Sequence, residues 1–288
     1  MQMLFTILKR KIVSVLRLFN VELKIKKNFV KYNSYNAIHS FIASYFIKKN
    51  NFTFFDIGAH KGESIERFEK ILKNTTIHAF EPTPNLFALL KKKYSKENIF
   101  LNNLAMSDND QAQTLYSYKH SLMNSMFPVK SNSKFQKSRI LSTNSSTKEF
   151  EEKIEVKSTT IDDYCNKNKI EEIDFLKIDT QGFEDKVLAG AKEMLKKNCI
   201  NVIELELIIG IAFERTISFY DIENIVNKFN YKLISIDHAH NIIAFSNYQV
   251  NLIYVKQEIY KKIENLHLNN TEIPGVTKAV SKSHPYSY

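Results

Sequence analysis

Three features of the 288-residue chain predict an α/β fold, an open sheet with helices on both faces. The stretch NFTFFDIGAHKGES at 51–64 joins an apolar, aromatic run of strand length to a glycine turn and then continues at helical spacing. Strand-like apolar runs alternate with helical stripes as far as Val255. Asp56, Glu81, Asn103 and Asp179 each fall at or just after the end of such a run, so one edge of the sheet would carry all four. That is the arrangement of Rossmann-like sheets, which bind their ligand over the carboxyl ends of the strands.

The chain divides into a basic helical arm over 1–50, a domain over 51–268 and an irregular tail over 269–288. Residues 3–19 are interrupted by Lys9-Arg10-Lys11, so they lack the run of about 20 apolar residues that a spanning helix needs. The charges sit inside the apolar stretch, unlike those of a secretion signal. A basic amphipathic helix here would lie on the inner leaflet of a membrane, or pack on the domain or a second subunit. Peripheral membrane contact through residues 1–31 and homo-oligomerisation therefore both stay open. Ile38, Phe41, Ile42, Tyr45 and Phe46 form a helical stripe expected to cover the sheet edge before the first strand.

Asp56 stands where a dinucleotide-binding turn places its first glycine. Glycines there let backbone N–H groups approach a diphosphate, whereas a carboxylate repels phosphate and favours a cation. S-adenosyl-L-methionine carries a sulfonium and an ammonium on a nucleoside, so Asp56, Gly58, Ala59 and Gly62 read as its cradle. An ordinary strand-turn-helix joint is the competing explanation. Residues 76–80 form a second strand ending in Glu81-Pro82. Glu81 lies 25 residues after Asp56, where a carboxylate can accept from both ribose hydroxyls. Pro82 and Pro84 direct the chain into a helix over 86–94, with Asn85 as its cap. After a third strand at 98–101, the loop 102–108 would pass the adenine. Leu104 and Ala105 would face the ring, and Asn103 or Asp108 would meet its edge; a polar turn before a hairpin has the same composition.

Residues 113–118 and 151–157 suit strands, and the Ser/Asn/Lys-rich stretch 130–146 between them reads as a loop at the mouth of the site. Thr159 or Thr160 caps the next helix, with acids in its first turn. IDFLKI at 173–178 is the fourth strand, ending in Asp179; a helix over 184–198 and a fifth strand over 200–204 follow, the latter ending in Glu204. Asp179 and Glu204 are thus candidate catalytic carboxylates. A divalent metal held there is an alternative, but none is expected and no metal ligand is assigned. A helix over 218–229 and strands at 231–236 and 251–255 complete the domain. In the turn between those strands His240, or His238, would suit a base near neutral pH, and His60 competes for that role. Paired histidines in a polar turn are more often merely exposed.

A hydrophobic content of 43% is enough for one large core. Cys165 and Cys199 fit neither a disulfide framework nor metal-ligand spacing, which suits a reducing, cytoplasmic setting. Residues 1–31 hold eight lysines and arginines against Glu22 alone, so most of the net charge of +10 belongs to the arm. The body lacks the broad basic footprint of a nucleic-acid binder, and no N/D-P-P-Y/F signature or Pro-Cys dipeptide occurs. A nicotinamide oxidoreductase is disfavoured by Asp56.

The segments FDIGAHKGES, HAFEPTPNLF, LNNLAMSD, STTIDDY and DFLKIDTQGFEDKVLAGA, in this order and spacing between Asn51 and Glu206, resemble the FkbM-type family of S-adenosylmethionine-dependent methyltransferases. Its members mostly methylate hydroxyl oxygens of sugars, polyketides and related small molecules. The most specific piece is KIDTQGFE, in which Gln181 stands where the family usually has Glu. The resemblance implies a class I methyltransferase fold, with a mixed seven-stranded sheet and an N-terminal helical extension. It implies S-adenosyl-L-methionine held by Asp56, Gly58, Gly62 and Glu81, with Asp179 and Glu184 beside the transfer site. A small molecule or glycan would be the acceptor. A scaffold at the membrane surface that keeps the fold without catalysis is the non-enzymatic rival.

Overall fold

The computed structural model describes residues 49–72, 74–133, 136–137, 150–238 and 248–268. The arm up to residue 48, the tail from 269, most of the 130–146 loop and His240 lie outside the described residues.

Seven strands make the main sheet: β1 (Phe52–Ile57), β2 (Thr75–Phe80), β3 (Ile99–Asn102), β8 (Ile173–Ile178), β9 (Ile200–Ile209), β10 (Tyr231–His238) and β11 (Tyr248–Lys256). Across the sheet their order is β10-β11-β9-β8-β1-β2-β3. β3, β2, β1, β8 and β9 run parallel, while β11 is antiparallel to both β9 and β10. The chain therefore moves outward from β1 to β3 and then returns to the other side of β1, which opens a crevice at the carboxyl ends of β1 and β8. Between β3 and β8 lie the short parallel pair β4 (Ala105–Met106) and β7 (Ser158–Thr159), and the hairpin β5 (Gln113–Tyr118) and β6 (Phe150–Val156).

The helices are α1 (Glu63–Ile71), α2 (Pro84–Lys93), α3 (Ile161–Asn168), α4 (Glu184–Ala189), α5 (Lys192–Lys196), α6 (Phe219–Val226) and α7 (Gln257–Leu268). Every residue of β8 is buried, because helices cover both faces of a parallel sheet. Phe54 stacks on Phe68 of α1 at 4.0 Å between ring centroids, with Phe175 beside them. On the other face Phe55 and Phe80 meet Tyr164 of α3 edge-on. Each of these side chains contributes about 2 kcal/mol by leaving water. Among the described residues no helix is long and apolar enough to cross a membrane.

α3 begins as its sequence predicts. The Thr160 hydroxyl accepts from Asp163 N–H at 2.9 Å and donates to the Asp163 carboxylate at 2.7 Å. Thr160→Ala is expected to cost about 1 kcal/mol, read as a lower denaturation midpoint at unchanged slope.

Four boundaries differ from expectation. Asn85 does not cap α2; Thr83 holds that position, because Pro84, with fixed φ and no N–H, suits the first helical turn. The helix over 184–198 breaks into α4 and α5 around Gly190, where a Cβ would lie 1.9 Å from the Ser107 carbonyl oxygen. β9 runs on to Ile209, five residues past Glu204. α7 was not expected; it buries Ile259 beyond the last strand.

Candidate active site

The crevice is closed from below by backbone. Gly58 and Ala59 N–H groups both donate to the Phe80 carbonyl at 3.0 Å, and Asp179 N–H donates to the Ile57 carbonyl at 2.9 Å. Gly58 has φ +85°, and a Cβ on it would stand 2.0 Å from the Asp179 carbonyl oxygen, so glycine alone lets the two loops touch. Gly62, also at φ +85°, leads into α1; its carbonyl accepts from the Tyr94 hydroxyl at 2.8 Å.

Glu81 is buried and fastens this turn to the end of β2. Its carboxylate accepts from His60 N–H at 2.9 Å and Thr83 N–H at 2.8 Å. Burial outweighs these bonds and pushes its carboxyl up to about 7. The Asn103 amide supports the same loop, donating to the Glu81 and Pro82 carbonyls at 2.8 and 3.0 Å. Ala105 departs from its expected place against the adenine ring: it is buried with Leu115 and Val156 under the β5–β6 hairpin. Asp108 is committed to Lys186 of α4 at 2.6 Å; burial acts upward on its carboxyl, but Lys186 offsets this and holds it below its ordinary value.

Asp56 is fully buried, and neither carboxyl oxygen has a hydrogen-bond partner. Lys177 Nζ lies 3.4 Å from its Oδ1 and 3.2 Å from Asp179 Oδ2. Burial drives Asp56 above its ordinary value against the pull of Lys177. Asp179 accepts from the Gln181 amide at 2.9 Å, and its carboxyl is hydrogen-bonded to that of Glu206. Burial acts upward on Asp179, but Lys177, Gln181 and Glu206 together hold it below its ordinary value. Glu206 is driven well above its own, first by burial and then by the Asp179 charge.

Glu204 is not a strand end. Mid-strand in β9, it pairs in register with Lys177 on one side and Ile253 on the other, and is buried. Alternation along the strand puts Glu206 on the same face two residues on, and Glu206 rather than Glu204 reaches the edge beside Asp179. Glu184 is a staple: its carboxylate accepts from Thr180 N–H at 3.0 Å and Gly182 N–H at 3.1 Å, and burial pushes it up to about 7. His60, at φ 49°, places Nε2 at 2.8 Å from Ser121 Oγ, and burial pulls its imidazole below its ordinary value. His238 closes β10, in register with Val250.

The segment after β5 is tied to all three loops. Besides the His60–Ser121 bond, Asn124 donates to Thr83 Oγ1 at 3.3 Å and Ser125 Oγ donates to the Gln181 carbonyl at 2.7 Å. Among the described residues no group of three or more His, Cys, Asp or Glu is placed to hold a metal ion.

The sequence alone assigns no role to Lys177 or Glu206. Lys177 could have been noticed as a lone cation inside a buried strand, and Glu206 from the apolar run that continues past it to Ile209.

A seven-stranded sheet in this order, with one antiparallel strand between β9 and β10 and acidic strand ends over the crossover, defines a class I methyltransferase fold. The methyltransferase FkbM domain matches residues 56–233, and the chain belongs to that family. It is similar to the 2-O-methyltransferase NoeI of Sinorhizobium fredii (strain NBRC 101917 / NGR234), at 27% identity over 169 residues, 56% of this chain and 65% of that protein. The chain thus spans just under two thirds of that relative's length. Among solved structures it is similar to magnesium protoporphyrin IX methyltransferase (ChlM) from Synechocystis PCC 6803 with bound SAM, at 8% identity and a TM-score of 0.42, covering 81% of this chain and 83% of that one. It is also similar to the Methanococcus jannaschii fibrillarin pre-rRNA processing protein, at 12% identity and a TM-score of 0.40, covering 73% and 68%.

Proposed function

We propose that the chain binds S-adenosylmethionine in the crevice above β1 and β8 and directs its methyl group to a hydroxyl oxygen of a sugar, glycan or other small molecule. The observation that carries this is Asp56, a fully buried carboxyl at the crossover with two oxygens lacking hydrogen-bond partners. An acceptor left unmade in a dry site is costly, and a bound ammonium would satisfy it. Asp179 and Glu81 add further negative potential against the Lys177 ammonium, which favours a cationic donor over a diphosphate. The Glu81 carboxylate has lone pairs left for ribose hydroxyls after accepting two backbone N–H groups. Similarity to the 2-O-methyltransferase NoeI supports oxygen as the atom that receives the methyl.

When bound, the donor supplies an electrophilic methyl carbon. The chain's share is to align an acceptor oxygen with that carbon, exclude water and remove a proton.

Isothermal titration with S-adenosylmethionine tests the donor half. Glu81 must be ionised to accept from both ribose hydroxyls, and burial holds its carboxyl near 7 in the free protein. Binding lowers that value, so affinity is complete above pH 7 and falls by up to about tenfold per unit as pH drops through it. Absence of binding at alkaline pH, or binding of NAD in its place, rejects the reading.

A further inference from the structure

We propose that Glu206 and Asp179 form one proton-sharing carboxyl pair that takes the proton of the acceptor hydroxyl, with Asp179 as the catalytic base and Glu206 as its positioning residue. This rests on reading the crevice as a methyl-transfer site.

The sheet register brings the pair together. Lys177 is paired with Glu204 and Ile178 with Leu205, so the next rung sets Asp179 beside Glu206 on the face that also carries Lys177. Asp179 is fixed by three partners: Lys177 Nζ at 3.2 Å, the Gln181 amide at 2.9 Å and the Glu206 carboxyl. Its side chain is nevertheless 26% exposed, whereas Asp56, Glu184 and Glu204 are buried, so Asp179 is the acid among these that meets the open crevice.

Acids in a group do not by themselves make a site. Here two buried acceptors without partners lie against the pair. Asp56 stands on Lys177, the same ammonium that holds Asp179, and the side-chain Oε1 of Gln181 is buried and unpaired although its Nε2 donates to Asp179. The charged groups facing the pair are Lys177 from β8, Asp56 from β1, Glu184 from α4, Glu204 from β9 and, when protonated, His60 from the glycine turn.

Two carboxyls in contact do not both ionise readily, so they hold one proton between them. Lys177 favours the charge on Asp179 and leaves the proton on Glu206. As the acceptor oxygen bonds to the methyl carbon, the carbon–sulfur bond breaks with its electron pair left on sulfur, and the hydroxyl proton passes to Asp179. The pair then holds two protons and returns one to water through the exposed side of Asp179.

The test is a carboxyl-carbon NMR titration of the full chain, with S-adenosylmethionine binding measured by calorimetry on the same samples. In the unaltered chain Asp179 and Glu206 should titrate together in two steps. In Glu206→Gln, which keeps a hydrogen-bond donor, Asp179 should titrate in one step with donor affinity within about twofold of the original. Glu206→Asp should restore two steps. Transfer of a labelled methyl group to the small-molecule and glycan fraction of cells lacking the protein should fall about 100-fold in Glu206→Gln and recover in Glu206→Asp. A single-step Asp179 titration in the unaltered chain, or an unchanged transfer rate in Glu206→Gln, overturns the pair. Failure of the unaltered chain to bind S-adenosylmethionine overturns the function proposed above, and the base assignment falls with it.

Discussion

Gly58→Ala is expected to destabilise the domain by on the order of 4 kcal/mol and to abolish donor binding. Two costs combine. Alanine at φ +85° is strained by about 1 kcal/mol, and its Cβ would stand 2.0 Å from the Asp179 carbonyl oxygen. That oxygen belongs to backbone fixed by its neighbouring N–H on Ile57, so relief requires β1 and β8 to part where all of β8 is buried. Thermal unfolding should report a midpoint lower by roughly 10 °C or more. Gly62→Ala is the control. It has the same φ, but the obstacle is the Tyr94 ring at 2.5 Å, a side chain able to swing aside at the loss of its bond to the Gly62 carbonyl. About half the cost is expected there. Equal midpoints for the two variants would show that the contact between the loops is not what requires Gly58.

Asp56→Asn is expected to separate binding from stability. The charge-assisted contact to the donor's ammonium is lost, at about 2 kcal/mol or roughly 30-fold in affinity at pH 8. Folding should be unharmed or improved, since the free protein buries this carboxyl with no hydrogen bond to either oxygen, and Lys177 keeps Asp179 as a partner. Calorimetry and thermal unfolding on one preparation check both. Unchanged affinity would remove the reason for reading the crevice as a cation site.

The sheet was legible because each central strand is an uninterrupted apolar run and each turn after it carries a residue with few alternatives. Phe52 to Ile57 followed by Gly58 allows little but a buried strand leading into a tight turn. Asp56, Glu81 and Asp179 were placed correctly at the carboxyl edge, since a polar residue closing an apolar run is a local signal. The alternation within IELELII was harder to read, because a strand with an acid at every second position resembles a strand that has already ended. Glu204 reads as the terminus for that reason, and Glu206 carries no separate signal. The break at Gly190 was not legible; it lies where the backbone passes close to Ser107, far away in the chain. Glu184 looked like a site residue, but its acceptors are consumed by the loop that precedes it. Composition alone could not show this, since partners are set by the fold.

The backbone contact between Gly58 and Asp179 makes the proposed donor seat and the proposed base a single mechanical unit. A change that loosens one disturbs the other, so cofactor occupancy and turnover should degrade together along this lineage of variants. Diversification toward new acceptors then has to come from the surrounding, independently adjustable segments after β5 and after β9, while the floor of the crevice is kept unaltered.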